Sequence, residues 1–216
     1  MIGSTEQRAR GRPEGVLLDL LMAVMDSVAV WTAAAGAKRR GLAWRDATTA
    51  RMTAARRYVP YEDLVAAAAR DTDVPSKAVT ALEAAWHAMA PRPDAGDLHD
   101  LPTRYAFVTN CSARLAATAA GRSRLEPSFV LSAEDAGWYK PDRRIYLEAC
   151  RRLGTLPERT LFVAGSAYDA EGAARAGLRT VLVERRRDQP RPAARDVLVV
   201  ASLGDITDLF ESGPSL

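Results

Sequence analysis

The 216-residue chain is poor in the residues that build disulfide frameworks and closed zinc sites. It has two cysteines, Cys111 and Cys150, and two histidines, His87 and His99. Two cysteines cannot supply a disulfide framework, so the sequence predicts a protein of the reducing cytoplasm. A four-ligand zinc site would need all four of these residues to converge, and none of their spacings favours that.

The chain also lacks a strong excess of charge of one sign. Its formal net charge is only +3, and the most basic stretch is the run Glu184–Arg195. A solvated loop is the interpretation that this run favours. The alternative is a contact with phosphate or nucleic acid, which usually places aromatic side chains among the basic ones. The run contains no aromatic residue, so we expect no nucleic-acid partner.

Long hydrophobic runs are absent except near the start of the chain, from Val16 to Ala35. Three arginines precede this run, which gives it the outline of a secretory signal. However, Asp19 and Asp26 lie inside it, and a central aspartate costs roughly 2.5–3.5 kcal/mol on membrane-insertion scales. We therefore predict a disordered segment over residues 1–14, then a buried strand and a helix, and no membrane-spanning segment.

Five short apolar runs, several of them rich in β-branched residues, are typical of buried strands. They are Gly15–Leu21, Tyr105–Thr109, Leu161–Ala164, Thr180–Glu184 and Val197–Ala201. Helical patterns over Arg143–Leu153 and Ala170–Ala176 separate the later runs, and a glycine follows each helix. Strands that alternate with helices predict an α/β fold, a Rossmann-like three-layer core built on a parallel sheet.

Between the first two strands the pattern is helical only, and this interval is too long for one crossover. The stretches Tyr61–Arg70 and Ser76–Ala90 predict helices, the second of them capped by Ser76. We therefore expect a helical cap inserted into an α/β core. The predicted boundaries are residues 28–93 for the cap, and residues 15–27 and 94–216 for the core.

Polar residues follow the predicted strands at their carboxyl ends, where open parallel sheets bind their ligands. These residues are Asp19, Thr109, Asn110, Cys111, Ser112, Lys140, Ser166 and Asp169. We expect two carboxylates, a lysine, and hydroxyl and amide groups to converge on one rim of the sheet.

Four segments of the chain, taken in order, resemble the motifs of the haloacid dehalogenase superfamily. They are VLLDLL, FVTNCS, WYKPDRRIY and LFVAGSAYDAEGAARAG. The segment Trp44–Arg70, with its Trp44–Arg45 pair, is similar to the cap of the L-2-haloacid dehalogenases within that superfamily. The resemblance extends from Gly15 over nearly all of the remaining chain, and it implies a homodimeric hydrolase with a helical cap.

This resemblance implies a role for each candidate residue. Asp19 would attack the halogen-bearing carbon, and water would then hydrolyse the aspartyl ester to a 2-hydroxy acid of inverted configuration. Lys140 would neutralise charge between Asp19 and Asp169, and Asp169 would orient or activate the water. The implied substrate-binding residues are Arg45 and Asn110 for the halide, Thr109 for the carboxylate, Tyr146 as a hydrogen-bonding support, and Ser166.

Two departures separate the chain from the magnesium-dependent phosphatases of the same superfamily. Where those enzymes carry a general-acid aspartate and an acidic metal ligand, this chain has Leu21 and Gly165. A hard cation binds through several oxygen ligands, so we expect a metal-independent hydrolase that acts on a small carboxylate and uses no cofactor. The alternatives left open are a phosphatase-like enzyme with an unusual metal site and a non-catalytic protein on the same scaffold.

The chain also departs from the dehalogenases themselves. Met22 and Ala23 stand where those enzymes usually have glycine and threonine, and Ala164 and Ser166 stand where they usually have serine and asparagine. A missing hydroxyl or amide group costs about 1–3 kcal/mol of positioning, or about 5- to 150-fold in rate. A different substrate, a slow enzyme and a protein without activity are therefore all compatible with the sequence.

Overall fold

The computed structural model of the chain describes residues 11–185, 192–194 and 196–211. Most of the predicted disordered segment 1–14 lies outside these residues, as does most of the basic run Glu184–Arg195. Residues 11–14 form no helix or strand, but the Glu14 backbone N–H donates to the carbonyl of Arg159 at 2.8 Å. Within the described residues, no helix combines the length and the apolar character that crossing a membrane requires.

In the described part of the chain, six parallel strands form one sheet, which confirms the predicted α/β fold. The strands are β1 (Gly15–Asp19), β2 (Tyr105–Thr109), β3 (Val130–Ser132), β4 (Thr160–Ala164), β5 (Arg179–Val183) and β6 (Val197–Val200). Their order is β3-β2-β1-β4-β5-β6, the doubly wound order of Rossmann-like folds. Strands β1, β4 and β5 are buried along their whole length, as expected of parallel strands covered on both faces.

Strand β1 lies at the centre of the sheet. Its Leu18 pairs with Phe107 of β2 on one side and with Val163 of β4 on the other. The strand order reverses direction at this point, and ligands of such sheets bind outside the carboxyl ends of the strands there. The residues that follow β1, β2 and β4 are therefore placed to build a site.

Strand β1 ends at Asp19, two residues before the predicted end at Leu21. The next five residues, Leu20–Val24, form a π-helical turn, which the Met25 backbone N–H closes on the Leu20 carbonyl at 2.9 Å. Turns of this kind are rare and often lie at functional sites. All five residues of the turn are buried and apolar, so hydrophobicity does not distinguish this turn from a continuing strand.

Four helices follow this turn before the chain reaches β2. They are α1 (Ser27–Ala35), α2 (Lys38–Ala54), α3 (Tyr61–Asp71) and α4 (Ser76–Trp86). Trp31 of α1 packs edge-to-face against Trp44 of α2, with ring centroids 4.7 Å apart. The indole N–H of Trp44 donates to the Val65 carbonyl of α3 at 2.9 Å. Trp44 thereby links three of the four helices.

The predicted bounds of α4 were wrong at its carboxyl end, and so was its predicted cap. The helix ends at Trp86 and not at Ala90, and Ser76 is its first helical residue. Pro75 occupies the cap position, with φ −60° and ψ 144°. The proline ring favours this extended conformation, so the turn into the helix is set by Pro75 and the serine hydroxyl makes no capping hydrogen bond.

The chain leaves the sheet and returns to it through two adjacent segments. Met25 and Pro91 form an antiparallel bridge, and the Asp26 backbone N–H donates to the carbonyl of Ala90 at 2.9 Å. Arg92 Nη2 pairs with Asp26 Oδ1 at 3.2 Å. Helices α1–α4 are therefore attached to the sheet along one line, while the predicted cap boundaries stay a prediction.

The remaining helices flank the later strands. They are α5 (Ala113–Ser123), α6 (Ala133–Ala136), α7 (Arg143–Leu153), α8 (Ala167–Arg175) and α9 (Asp208–Glu211), with short 3₁₀ turns at Ala95–Asp100, Pro157–Arg159 and Gly204–Ile206. Helix α7 has its predicted bounds, and Gly154 ends it in the left-handed conformation, with φ 75°. Helix α8 begins three residues before its predicted start, so Asp169 lies within its first turn. The sequence patterns predict neither α5 nor β3.

Candidate active site

The carboxyl ends of β1 and β2 and the start of α8 meet helices α1–α3 around a cavity of about 420 Å³ that opens to solvent. Its lining residues are Asp19, Leu21, Met22, Ser27, Trp31, Arg45, Thr48, Thr49, Met52, Tyr61, Asn110, Lys140 and Tyr168. Among the predicted site residues, the structure brings Asp19, Arg45, Asn110 and Lys140 to the cavity surface.

Lys140 lies between the two carboxylates that the sequence predicts to be catalytic. Its Nζ donates to Asp19 Oδ1 at 2.9 Å, to Asp169 Oδ2 at 2.6 Å and to the Val108 carbonyl at 3.1 Å. The side chains of Lys140 and Asp169 are 1% exposed, and that of Asp19 is 6% exposed. An ammonium group has three hydrogens, so these acceptors use all of them and fix Lys140 in place.

Opposing effects set the charges of this buried cluster. Burial by itself lowers the pKa of Lys140, but the carboxylates of Asp169 and Asp19 outweigh it and raise that pKa above its ordinary value. Burial raises the pKa of Asp169 to about 6, although the charge of Lys140 lowers it. At neutral pH the lysine is therefore protonated and Asp169 is ionised.

Asp19 presents one carboxylate oxygen that no group of the described residues engages. Its Oδ1 accepts from Lys140, whereas Oδ2 accepts no hydrogen bond from any of the described residues. A carboxylate oxygen beside a cation and free of donors is available to attack a carbon electrophile. Asp19, at the end of β1, therefore brings to the cavity lining a carboxylate whose Oδ2 is open to a ligand.

Tyr146 supports Asp169 outside the cavity. Its hydroxyl donates to Asp169 Oδ1 at 2.5 Å, and its side chain is fully buried. Gly172 permits this contact, because a Cβ at that position would lie 2.7 Å from the Tyr146 hydroxyl oxygen. Neither Tyr146 nor Asp169 lines the cavity. The hydrogen bond agrees with the expected supporting role of Tyr146, while contact of Tyr146 with a substrate stays a prediction.

Asn110 holds the backbone of Lys140. Its Oδ1 accepts from the Lys140 backbone N–H at 2.7 Å, and its Nδ2 donates to the Lys140 carbonyl at 2.9 Å. The side-chain amide carries a second hydrogen, and Asn110 lines the cavity. One amide N–H therefore remains for a ligand, in addition to the positioning role that the sequence did not suggest.

The hydroxyls of Thr109 and Ser166 are not brought to the cavity. Thr109 is fully buried, and its hydroxyl oxygen lies 3.6 Å from Cys111 Sγ. Ser166 precedes α8, and its buried hydroxyl has no hydrogen-bond partner among the described residues. The expectation that these two residues bind the substrate stays a prediction.

Arg45 brings a positive charge to the cavity from α2. Its side chain is 12% exposed, and its Nη1 forms an ion pair at 3.2 Å with the largely exposed Asp46. The other cation on the lining is Lys140, whose hydrogens are already used. Arg45 is therefore the cation that an anionic ligand in this cavity meets.

Sequence reasoning missed two phenols that line the cavity, Tyr61 of α3 and Tyr168 of α8. Neither phenol hydroxyl has a hydrogen-bond partner in the described part of the chain. Burial raises the pKa of Tyr168 to about 12 and the pKa of Tyr61 well above its ordinary value, so both are neutral donors at physiological pH. Tyr168 could have been predicted to line the cavity, because it directly precedes Asp169. No local sequence pattern predicts that Tyr61 does so.

The residues present do not fit a divalent cation. The side chain of Leu21 offers no oxygen ligand. A Cβ on Gly165 would lie 2.3 Å from the Met22 carbonyl carbon and 2.4 Å from the Ala23 nitrogen. A carboxylate at position 165 therefore has no room beside the π-helical turn. Across the described residues, no three His, Cys, Asp or Glu side chains are grouped so as to hold a metal ion.

We expect Gly165→Ala to lower the free energy of unfolding by about 3 kcal/mol, because the added methyl group meets main-chain atoms that cannot rotate away. Gly121→Ala in α5 is the matched control, since a Cβ there meets nothing within 4 Å. That control should stabilise the helix by up to about 1 kcal/mol. Urea unfolding measures both changes, and wild-type stability of Gly165→Ala would contradict the close packing of the turn.

Comparison with known proteins places this site in a family. A family model described as haloacid dehalogenase-like hydrolase matches residues 14–177. The chain is 47% identical to (S)-2-haloacid dehalogenase 4A of Burkholderia cepacia over 60 residues. These residues make up 28% of this chain and 26% of that protein. Over 88 residues it is 32% identical to glyceraldehyde 3-phosphate phosphatase of Methanothermobacter thermautotrophicus, 38% of each chain. The matches thus span well under half the length of these curated relatives.

Solved structures share the fold over nearly the full length. L-2-haloacid dehalogenase of Xanthobacter autotrophicus has a TM-score of 0.79 at 19% identity, and the match covers 94% of this chain and all of that one. A crystal structure of a dehalogenase with an intermediate complex has a TM-score of 0.79 at 24% identity, over 92% of this chain and 97% of the other. With the family model matching the chain from β1 through α8, the chain belongs to the haloacid dehalogenase-like hydrolases.

Proposed function

We propose that the protein displaces halide from a small L-2-haloacid through an ester on Asp19, and that it does so without a metal ion. The observation that carries the proposal is the carboxylate of Asp19 at the cavity, with Oδ1 held by Lys140 and Oδ2 without a donor among the described residues. Leu21 and Gly165 stand where a metal-dependent phosphatase needs carboxylates. A halide leaves without being protonated, so this chemistry needs neither of them.

The other polar groups of the cavity suit an anionic substrate. Arg45 supplies a positive charge, Asn110 has one amide hydrogen left, and Tyr61 and Tyr168 supply neutral hydroxyl donors. These donors can share the substrate carboxylate and the developing halide between them. The apolar part of the lining, from Leu21, Met22, Trp31 and Met52, is suited to a short hydrocarbon substituent.

The reaction proceeds in two steps. First, Asp19 Oδ2 attacks C2 of the substrate from the side opposite the halogen, a C–O bond forms, and the halogen leaves with the bonding electrons, so the configuration at C2 inverts. Second, water attacks Cγ of Asp19, the bond from Cγ to the ester oxygen breaks, and a 2-hydroxy acid and one proton are released. Lys140 offsets the negative charge of Asp19 and Asp169 throughout, and we assign Asp169 and Tyr146 as positioning residues for it.

Halide release from 2-chloro-, 2-bromo- and 2-fluoropropanoate tests the proposal. We expect release by the wild type that EDTA does not reduce, and none by Asp19→Ala. Magnesium-dependent hydrolysis of a phosphate ester, with no halide released, would instead favour the phosphatase candidate, which the phosphatase relative supports. If neither substrate is turned over by the folded protein, a non-catalytic role on the same scaffold is favoured.

We further propose that the protein is a cytoplasmic homodimer. Cys111 and Cys150 are both free and buried, which suits a reducing compartment, and the resemblance to the dehalogenases implies a dimer. Light scattering coupled to size-exclusion chromatography measures the molar mass. A monomeric mass over the accessible concentration range would contradict the dimer.

The activity should depend on the ionisation of Asp169. Because burial raises the pKa of Asp169 to about 6, lowering the pH through this value protonates the carboxylate and breaks its ion pair with Lys140. We expect kcat/KM to fall about tenfold per pH unit below about pH 6.

Tyr146→Phe sharpens this pH test. The Tyr146 hydrogen bond lowers the pKa of Asp169, so its loss raises that pKa and moves the acid limb of the profile to higher pH. Tyr105→Phe is the control, because the Tyr105 hydroxyl accepts from the Glu126 backbone N–H away from the cavity. An acid limb that stays in place in Tyr146→Phe would show that Asp169 does not govern it.

A further inference from the structure

A second cavity lies beside the catalytic one, between α3, α4 and α5. It has a volume of about 330 Å³ and opens to solvent. Its walls are mainly apolar, and they include Val65, Val79, Leu82, Trp86 and Leu115. None of the polar residues assigned to the reaction, apart from Tyr61, belongs to these walls.

The two carboxylates at this second cavity are engaged by Ser112, which caps α5, and by Arg114 of α5. Glu62 Oε1 accepts from the Ser112 hydroxyl at 2.7 Å, and Glu83 Oε1 pairs with Arg114 Nη2 at 2.6 Å. Arg114 Nη2 also lies 3.4 Å from Glu62 Oε1. The cavity therefore offers an occupant mainly hydrocarbon surface, with both carboxylates already in contact with α5 or its cap.

Tyr61 belongs to the walls of both cavities. It is 3% exposed, and its ring packs edge-to-face against Trp86 with centroids 6.1 Å apart. Trp86 is itself fixed, because its indole N–H donates to the Leu115 carbonyl at 3.0 Å. A side chain that borders two cavities and is held on one side acts as the partition between them.

We propose that Tyr61 is the specificity-determining residue that limits the length of the substrate's C2 substituent. Its ring closes the catalytic cavity against the second one, so the hydrocarbon chain of a 2-haloacid ends at this ring. With the ring removed, the second cavity receives the substituents of longer 2-haloacids. This inference rests on the proposed function, since it concerns the substrate of the same site.

The test compares 2-bromohexanoate with 2-bromopropanoate. The longer acid carries three more methylenes, and each methylene buried adds up to about fourfold in binding, or about sixtyfold for the three. In Tyr61→Ala we expect the ratio of kcat/KM, longer acid over shorter, to rise at least about tenfold above the wild-type ratio.

Two matched variants separate the partition from other effects. Tyr61→Phe keeps the ring and loses the hydroxyl, and Val79→Ala widens the second cavity without touching the first. Both should keep the wild-type ratio. An unchanged ratio in folded Tyr61→Ala, or an equal rise in Tyr61→Phe, overturns the proposal. Should Tyr61→Ala not fold, Tyr61→Val carries the same expectation.

A binding measurement keeps this inference separate from the proposed reaction. Calorimetry with 2-hydroxypropanoate and 2-hydroxyhexanoate requires no bond to break. If Tyr61→Ala gains affinity for the longer acid while no variant releases halide, the partition stands and the dehalogenation proposal fails. If the folded variant gains none, the partition is refuted whatever the enzyme does with haloacids.

Discussion

Under the proposed function, we expect Asp19→Asn to lower halide release by about four orders of magnitude or more, while the protein stays folded. An amide of the same shape can still accept from Lys140 Nζ through its oxygen, but it has no negative charge with which to attack carbon. Rates of halide release and the thermal unfolding temperature are the two measurements. Asp71→Asn is the control, since it removes only an exposed ion pair with Arg51, and it should keep wild-type activity.

An isotope experiment separates a nucleophile from a general base at this position. In a single turnover in ¹⁸O-labelled water, the label should enter the Asp19 carboxylate, because water attacks Cγ of the ester and the product keeps the original aspartate oxygen. Mass spectrometry of the peptide that contains Asp19 detects it. Label in the 2-hydroxy acid of the first turnover would mean that water attacks the substrate directly, and the ester would have to be abandoned.

We expect Lys140→Met to remove the proposed activity and to cost about 3–5 kcal/mol of stability near neutral pH. The methionine fills a similar volume, but Asp19 and Asp169 are left buried with no cation between them. Each carboxylate then disfavours the ionised form of the other. Lys77→Met on the exposed face of α4 is the matched control, and its stability should change by less than about 0.5 kcal/mol.

The pH dependence of this loss gives a sharper test. In the wild type the raised pKa of Lys140 contributes stability throughout the neutral range, since that contribution is lost only as the pH rises through the folded-state pKa. In Lys140→Met the charge that lowers the pKa of Asp169 is gone, so that pKa lies above 6. When the pKa of a carboxyl group is higher in the folded than in the unfolded protein, the free energy of unfolding rises as the pH falls through that pKa. The loss of unfolding free energy in Lys140→Met, relative to the wild type, should therefore become smaller as the pH is lowered from 8 to 5. A loss that stays constant over this range would contradict the buried charge cluster.

The cluster of Asp19, Lys140 and Asp169 could be predicted from the sequence, because its position depends on where the strands end. Asp19 follows a continuous apolar run, and such runs predict buried parallel strands whose carboxyl ends meet. The motif around Lys140 and the position of Asp169 after β4 then bring the charged cluster together. These expectations need only the order of the elements, which local patterns supply.

The sequence did not show which side chains at the strand ends face the cavity. Successive side chains leave a strand on opposite faces, and the sequence does not show which of the neighbours Thr109 and Asn110 faces the cavity; the structure places Asn110 there. The π-helical turn after Asp19 depends on the close approach to Gly165, a contact distant in sequence. Tyr61 reaches the site only through the packing of α3 over the sheet, for which no local pattern exists.

The paired segments at Met25 and Pro91 have a mechanical consequence. Because both connections to the four helices run side by side, chain connectivity restrains the helices along one edge only. Non-covalent contacts also hold these helices to the core, among them the hydrogen bonds from Ser112 to Glu62 and from Trp86 to the Leu115 carbonyl. Side chains outside the lining of the cavity at Asp19, such as Ser112, Glu62 and Trp86, therefore help to set how the four helices lie over Asp19.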